Sequence, residues 1–396
     1  MRVSLAFRPQ NTDPVLDGPP PLSLCDPAGP RIVLGERPPG DGLAVPIAPR
    51  RHTLFGPRGA IRNPLTGAVA VADTGHHRLL IWHKPRADHC PADLQIGQRD
   101  FESEGRNGNR DPSAASLNVP TGLATDGRAL AVADAWNHRV LIWKNWPETD
   151  NQPADLVLGQ RDFKDTAANR GGEPDAVTLN WCYGVSFVDG GLAVADTGNR
   201  RVLWWDQLPT RNGQPADLVL GQRDFDSRDE NAGLDAGALG MRWPHAIASR
   251  GPMLLVADAG DNRIMVWNRR PERPGTPCDF VLGQAKFSEV EHNRGRYLPD
   301  RNALNMPYGL TIASEWLVAA DTANSRLVGW PADTLAMDAP ARALLGQPDF
   351  GSKGDNRWQM PVRDSLCWPY GVTSDDAALM IADSGNNRVL LWDLAP

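Results

Sequence analysis

The stretch VADTGHHRLLIW, Val71–Trp82, decides the fold because five near-copies of it follow along the chain. Each copy contains an apolar run ending in Asp, then a turn, then a second apolar run that begins with Arg and ends in Trp. The other copies are VADAWNHRVLIW (132–143), VADTGNRRVLWW (194–205), VADAGDNRIMVW (256–267), AADTANSRLVGW (319–330) and IADSGNNRVLLW (381–392). Two short apolar runs joined by a tight turn predict a pair of β-strands, used six times.

The copies recur with a nearly constant period. Successive Asp residues are 61, 62, 62, 63 and 62 positions apart: Asp73, Asp134, Asp196, Asp258, Asp321 and Asp383. Five positions after each Asp stand Arg78, Arg139, Arg201, Arg263, Arg326 and Arg388. The closing residues are Trp82, Trp143, Trp205, Trp267, Trp330 and Trp392. A fixed period of this kind is typical of repeated supersecondary units.

Two further elements recur in each period. A P-x-G element precedes the dodecapeptide, as in MPYGLT at 306–311, and an apolar run ending in Gly-Gln follows it, as in DLVLGQ at 155–160. Each period therefore offers four short runs bounded by Gly, Asn, Asp or Pro, and no stretch shows helical spacing over several turns. We predict an all-β fold, a six-bladed β-propeller of four-stranded blades.

The last period lacks its fourth strand, and an unassigned apolar run, RIVLGE at 31–36, precedes the first period. We predict that this strand completes the last blade and closes the ring. An open solenoid would need capping units instead, and the sequence contains none. The predicted domains are a Pro-rich N-terminal segment, 1–30, which is either a disordered tail or an ordered strap, and a single propeller, 31–396.

The dodecapeptide VADTGNRRVLWW, together with an upstream PYG, resembles the NHL repeat, which builds six-bladed propellers. With VLGQRDF and a link of about 20 residues, the unit is similar to that of a large group of bacterial NHL-repeat proteins. The resemblance covers nearly the whole chain from about Arg31. Members of the wider family act as protein-binding platforms, RNA readers, sensor domains and, more rarely, lyases or hydrolases. The resemblance therefore indicates a fold but does not single out one function.

The repeated Asp, Arg and Trp residues are interpreted as architectural. A catalytic site needs one asymmetric arrangement of groups, whereas six identical arrangements serve the ring. We expect each Asp to accept hydrogen bonds from the backbone of its own turn and each Arg to pair with it. The Trp residues supply apolar area between blades. Function is therefore sought where the repeats differ.

The x of P-x-G differs from copy to copy, and the resemblance implies that these six positions ring the mouth of a central channel. They are Arg58, Thr121, Tyr183, His245, Tyr308 and Tyr370, which include three of the four tyrosines of the chain. Such side chains combine apolar area, hydrogen bonding and charge, which suits recognition of a partner. The alternative is that the tyrosines plug the channel.

Other aromatic residues and the long links add weaker candidates. Trp136 replaces a Gly found in four other turns, and it is either a further contact at the channel mouth or a residue that packs under a neighbouring long loop. Trp181, Trp243 and Trp368 directly precede the mouth positions. The links before the P-x-G elements are long, as functional loops often are. Four of them carry Asn-Arg, which is either a repeated turn or a binding motif: Asn109-Arg110, Asn169-Arg170, Asn293-Arg294 and Asn356-Arg357.

Composition argues against several functions. The formal net charge of -7 gives no electrostatic case for a nucleic-acid partner. Five cysteines without a CxxC pair disfavour a disulfide framework or a zinc site, and we expect no metal or other cofactor. His76, His77, His83 and His89 lie toward opposite ends of a strand, which disfavours a shared metal. The N-terminus lacks a signal h-region and no run is long enough to span a membrane, so we expect a cytoplasmic protein.

These observations favour a non-enzymatic platform that binds a protein or peptide at its loop-rich face and channel mouth. We assign no catalytic residues. We expect a monomeric propeller, acting alone or within a hetero-complex. One alternative is an enzyme in the central funnel, a lyase or hydrolase that uses His245, Arg58 and tyrosines. The other is RNA binding, which the acidic balance disfavours.

Overall fold

The computed structural model describes residues 18–37 and 46–395, and these form six β-sheets in a ring. Two short N-terminal strands come first, β1 (Leu22–Ser23) and β2 (Ile32–Leu34). Blade 1 contains β3 (Gly59–Arg62), β4 (Val69–Asp73), β5 (Arg78–Trp82) and β6 (Leu94–Ile96). Blade 2 contains β7 (Pro120–Thr125), β8 (Leu130–Asp134), β9 (Arg139–Trp143) and β10 (Leu156–Leu158). Blade 3 contains β11 (Cys182–Val188), β12 (Gly191–Asp196), β13 (Arg201–Trp205) and β14 (Leu218–Leu220).

The second half of the ring repeats the pattern. Blade 4 contains β15 (Pro244–Arg250), β16 (Met253–Asp258), β17 (Arg263–Trp267) and β18 (Phe280–Leu282). Blade 5 contains β19 (Pro307–Ala313), β20 (Trp316–Asp321), β21 (Arg326–Pro331) and β22 (Ala343–Leu345). Blade 6 contains β23 (Pro369–Ser374), β24 (Ala378–Asp383) and β25 (Arg388–Asp393). The sheet order and the antiparallel pairing confirm the predicted six-bladed β-propeller.

The helical structure in the described residues consists of short 3-10 turns. One kind joins the second and third strands of each blade: Thr74–His76, Ala135–Asn137, Thr197–Asn199, Ala259–Asp261, Thr322–Asn324 and Ser384–Asn386. The other kind lies in the long links: Arg106–Asn109, Ala168–Gly171, Glu230–Gly233, His292–Gly295 and Asp355–Trp358. Among residues 18–37 and 46–395, we find no helix with the length and apolar character that a membrane crossing requires.

The ring closes through the N-terminal strand β2. It pairs antiparallel with β25 of blade 6, with Val33 opposite Leu390. Blade 6 thereby gains the fourth strand that its own period lacks, as the sequence predicts. The paired segment is Ile32–Leu34, shorter than the predicted run 31–36 but centred on it.

The strand pattern follows from burial on both faces of every blade. Ala70 belongs to a core cluster that includes Leu130 of blade 2. The next residue, Val71, belongs to the cluster that includes Leu391 of blade 6. Because successive side chains point to opposite faces, both faces of β4 contact a neighbouring blade. This explains why the middle strands are continuously apolar instead of alternating.

The repeated Asp–Arg pair joins strands and loops within each blade. In blade 3, Asp196 Oδ2 accepts a hydrogen bond from Arg201 Nε at 2.8 Å, and both side chains are fully buried. Asp196 Oδ1 accepts the backbone N–H of Asn180, 16 residues earlier, at 2.7 Å. The expectation that the Asp accepts backbone N–H groups of its own turn is wrong here, because the backbone N–H that it accepts belongs to the preceding link, while its own turn donates through the Asn199 side-chain amide. The pairing is architectural, as six identical copies predict.

The closing Trp residues act in the same repeated way. Trp205 Nε1 donates to the carbonyl of Gln214 at 3.0 Å, nine residues later. In blade 6, Trp392 Nε1 donates to the carbonyl of Asp26, in the N-terminal segment, at 2.8 Å instead. Upstream of Asp26, β1 pairs in parallel with β22 as a fifth strand of blade 5. The described part of the N-terminal segment thus lies along the edges of blades 5 and 6.

Candidate functional site

The first strand of each blade lines the channel, and five of the six P-x-G side chains meet at its mouth. Tyr183 and His245 stack with ring centroids 4.9 Å apart. His245 and Tyr308 stack at 4.4 Å, and Tyr308 lies 4.4 Å from Tyr370. The Arg58 guanidinium lies 4.8 Å from the Tyr370 ring centroid and 6.0 Å from that of Tyr183. We call these five side chains the aromatic belt.

Thr121, the sixth mouth position, does not join the belt. Its side chain is buried, and its hydroxyl donates to the Tyr183 carbonyl at 2.9 Å. A short Thr side chain cannot reach the channel axis, so it fixes the backbone beneath Tyr183 instead.

The belt separates two cavities. One, of about 260 Å³, lies among the innermost strands of the blades. The other, of about 700 Å³, opens on the loop-rich face, and we call it the cup. Both cavities include the five belt side chains among their walls. The tyrosines therefore form the floor of the cup and at the same time divide the channel.

The rim of the cup is aromatic and partly exposed. The side chains of Trp181, Trp243, Trp368 and Phe55 line it, with exposed fractions of 50, 42, 42 and 40%. Large apolar side chains left this exposed around a concave site are typical of a surface that meets a partner. Trp136 is 47% exposed but is not among the residues that line the cup.

The belt carries a positive charge only at Arg58 near neutral pH. Burial, opposed by a hydrogen bond to the Trp243 carbonyl and assisted by the Arg58 charge, lowers the pKa of His245 to about 4. That bond joins Nδ1 to the carbonyl oxygen at 2.9 Å, so the neutral ring carries its proton on Nδ1. Burial also raises the pKa of Tyr308 and of Tyr370, which keeps both phenols protonated.

The charged side chains that line the cup are positive. Among the described residues, it includes the guanidinium groups of Arg58 and Arg200 and no Asp or Glu side chain. The Arg58 guanidinium forms no hydrogen bond or ion pair with the described residues, although its contacts with the Tyr183 and Tyr370 rings hold it in place. Arg200 donates from Nη1 to the Arg228 carbonyl at 3.1 Å, and its Nε is buried without a partner in the described chain.

A hydrogen bond between blades positions two of the rim tryptophans. Trp181 has a positive φ of 48°, and its N–H donates to Nδ1 of His138, in the turn of blade 2, at 3.0 Å. Trp368 has a φ of 49°, and its N–H donates to Ser325 Oγ at 3.2 Å. We call this contact the latch. Because a left-handed backbone is costly for residues other than Gly, the latch helps to hold these positions.

The latch recurs at the other blade junctions with one exception. The further donor–acceptor pairs are Val119 with His77, Met306 with Asn262, and Gly56 with Asn387. At the junction of blades 3 and 4 the acceptor position holds Arg200, which has no acceptor atom. The N–H of Trp243 donates to Asp258 Oδ1 at 2.9 Å instead, and Trp243 is not among the residues with positive φ.

The Asn-Arg motif of the links is structural in three of its four copies. Asn169 and Asn199 exchange side-chain amide hydrogen bonds of 3.0 and 2.8 Å in a buried pair. Asn293 and Asn356 make the same kind of pair with the turns of their blades. In the first link Asn107, two residues before the motif Asn109, forms the pair.

The described residues contain no group of three or more His, Cys, Asp or Glu side chains placed to hold a metal ion. Cys182, one residue before Tyr183, is fully buried and its Sγ lies 3.2 Å from the Arg139 carbonyl. Burial raises its pKa well above the usual value, so it is an inert thiol. All five cysteines are free.

Phe55 and Arg200 line the cup but were not predicted from the sequence. Phe55 precedes the loosest copy of the P-x-G element, where blades 2, 3 and 5 have Asn. Arg200 ends the turn of blade 3, where its equivalents are His77, His138, Asn262, Ser325 and Asn387. Aligning the six turns by period would have marked Arg200 as the one cation in that column.

Comparisons with known proteins find only solved structures of low sequence identity. No family model matches the chain, and a search of the curated proteins finds no match. Among solved structures, the WD40 β-propeller domain of Doa1 is 9% identical with a TM-score of 0.47, covering 86% of this chain and 93% of that one. Chaetomium thermophilum Raptor is 12% identical with a TM-score of 0.47, covering 94% of this chain and 29% of that one.

A chain from a nidogen/laminin complex is 13% identical with a TM-score of 0.41, covering 74% of this chain and 85% of that one. At these scores the matches carry no argument about function. The class of protein, a six-bladed β-propeller, rests on the six sheets themselves. Membership of the NHL-repeat group stays a prediction.

Proposed function

We propose that this chain is a non-catalytic receptor of the NHL-repeat type that binds a segment of a partner protein in the cup. The observation that carries the proposal is the combination of an aromatic floor with a half-exposed aromatic rim around about 700 Å³. Cavities of this size and composition are typical of ligand sites. Tryptophan and tyrosine side chains are the groups that dominate binding energy at protein interfaces.

The belt supports binding more than catalysis. His245 stacks against Tyr183 and Tyr308, and its Nδ1 is occupied by the Trp243 carbonyl. With a pKa of about 4 it is a weak base near neutral pH, whereas a general base works best with a pKa near the operating pH. We also propose a cytoplasmic location, which five free cysteines support.

The proposal is tested by capture of a random hexapeptide library on immobilised protein. We expect the wild type to enrich a family of related peptides and Trp243→Ala to lose them. Trp243 suits this substitution because it is exposed and has no positive φ. The matched control is Trp358→Ala, since Trp358 is 71% exposed and lies outside the cup.

Enrichment that Trp243→Ala leaves intact would place binding elsewhere and overturn the proposal. No enrichment by the wild type would also overturn it. RNA binding has a separate signature, an affinity that falls steeply with salt. Single-stranded RNA that binds the wild type in this manner, while the peptides do not, would favour that alternative.

A further inference from the structure

We infer that the cup captures the free C-terminus of its partner, with the terminal carboxylate at Arg58 and an apolar or aromatic last side chain against the rim tryptophans. This inference rests on the proposed function and adds the chemistry of the occupant. It follows from the charge of the cup, from its unused hydrogen-bond donors and from its shape.

The charge of the cup favours an anion. The chain as a whole has a net charge of -7, yet the described cup lining carries two guanidinium groups and no carboxylate. Arg58 is partly buried and has no carboxylate partner among the described residues. A partly desolvated cation without a partner is costly, and a ligand carboxylate would restore its lost interactions. Guanidinium groups bind carboxylates through strong, charge-assisted hydrogen bonds.

The floor adds further donors. The Tyr308 hydroxyl contacts only Met306 Sδ, a weak acceptor, at 3.8 Å within the described chain. The hydroxyls of Tyr183 and Tyr370 form no hydrogen bond with the described residues. A phenol O–H is a hydrogen-bond donor. Three phenols and one guanidinium offer more donors than acceptors, which matches a carboxylate better than a cation or an amide.

The shape of the cup favours a chain end over a chain that passes through. The stacked belt lies between the two cavities, so an entering segment meets it as a floor. An internal segment would have to enter and turn back within about 700 Å³, whereas a terminus enters once. The cation lies in that floor, where the terminal carboxylate would arrive. Trp181, Trp243 and Trp368 then face the last side chains and stack on apolar or aromatic groups.

The test uses two hexapeptide libraries of identical composition, both tethered through their N-termini. One library ends in free carboxylates and the other in carboxamides. We expect the wild type to bind free-acid peptides at least about tenfold more tightly than the matched amides, since a hydrogen bond to a charged group typically has that effect. The enriched free-acid peptides should end in Phe, Tyr, Trp or Leu.

Variants assign the effect to Arg58. Arg58→Gln should bind the acid and amide forms equally, at the level of the amide on the wild type. Arg58→Lys should restore part of the preference, because it keeps the charge without the planar fork. Arg161→Gln is the matched control, since its guanidinium pairs with Asp165 outside the cup lining. It should retain the full preference, and circular dichroism should show all variants folded.

The outcomes separate this inference from the proposed function. Equal binding of acid and amide peptides, lost in Trp243→Ala, would overturn the C-terminus inference and leave the peptide receptor standing. Enrichment of internal Asp or Glu in both libraries would have the same meaning. A preference for the free acid that persists in Arg58→Gln would also overturn the assignment. Binding by neither library would overturn both proposals.

Discussion

The imidazole Nδ1 of His138 in blade 2 accepts a 3.0 Å hydrogen bond from the backbone N–H of Trp181 in blade 3. This bond connects the turn of one blade to the cup rim of the next. It requires a neutral imidazole, because a protonated ring has no acceptor atom. The same contact at other junctions uses Asn or Ser, so the role depends on an acceptor and not on histidine chemistry.

The first prediction concerns this latch. His138→Gly removes the acceptor, whereas His138→Asn keeps one, as Asn262 and Asn387 do at other junctions. Both replacements tolerate the left-handed backbone that His138 adopts at a φ of 52°. We expect the Gly variant to be less stable than the Asn variant by about 1–2 kcal/mol in urea unfolding. Equal stability would mean that the bond does not hold the blades together.

The second prediction concerns the pH dependence of the same residue. Burial lowers the pKa of His138 to about 4, against 6.5 in the unfolded chain. Between these values the unfolded state binds more protons, so the free energy of unfolding should fall as pH falls from 6.5 towards 4. His138→Asn should remove this component. The check is the difference in unfolding free energy between wild type and variant at pH 7 and pH 4.5; a difference independent of pH would contradict it.

The third prediction concerns Asp261. It occupies the turn position that Asn fills in blades 2, 3, 5 and 6, where the Asn amide donates to the repeated Asp, as Asn199 does to Asp196. An ionised Asp261 cannot donate. Burial, and then the nearby charge of Asp258, raise its pKa to about 6. We expect Asp261→Asn to stabilise the fold by about 1–2 kcal/mol at pH 8 in urea unfolding.

The pH dependence gives the control. Because the folded-state pKa of Asp261 lies above its ordinary value of 3.8, the folded chain holds the extra proton between pH 3.8 and 6. The stability contributed by the protonated form is therefore present at low pH and is lost as pH rises through about 6. The advantage of Asp261→Asn should shrink towards pH 4. An advantage that grows with acidity would show that the carboxyl is not the source.

The fourth prediction concerns ring closure. Leu34 of β2 is fully buried against blade 6, whereas Leu22 of β1 is 57% exposed at the edge of blade 5. Leu34→Asp places an unpaired charge in the buried contact between β2 and blade 6 and should destabilise the fold by about 3–5 kcal/mol. Leu22→Asp is the matched control and should change stability by about 0.5 kcal/mol or less. Similar thermal midpoints for the two variants would show that β2 does not close the ring.

The sequence was sufficient to predict the ring, because a period near 62 residues and a missing fourth strand leave few alternatives. The resemblance to NHL repeats pointed to six P-x-G positions, of which five form the belt and Thr121 does not. The sequence left open whether the tyrosines bind a partner or plug the central channel. That depends on side-chain orientation around His245, and no pattern along the chain encodes it. The structure makes the tyrosines the floor of a cup, a geometry compatible with both alternatives.

Two features of the cup were not predicted from the sequence. Trp136 looked like a mouth residue, yet it does not line the cup, because that depends on how the loops of neighbouring blades pack. Arg200 was not singled out, although it is the one cation in its column of the six aligned turns. Because Arg200 has no acceptor atom, the latch is absent at the junction of blades 3 and 4, and Trp243 bonds to Asp258 instead.

Occupancy of the cup is best measured by oxidative footprinting of the tryptophans with and without saturating captured hexapeptides. If the cup is the binding site, oxidation of Trp181, Trp243 and Trp368 should fall severalfold on binding. Oxidation of Trp358, which is 71% exposed outside the cup, should not change. Protection of Trp358 with no change at the three rim tryptophans would contradict a receptor site at the channel mouth.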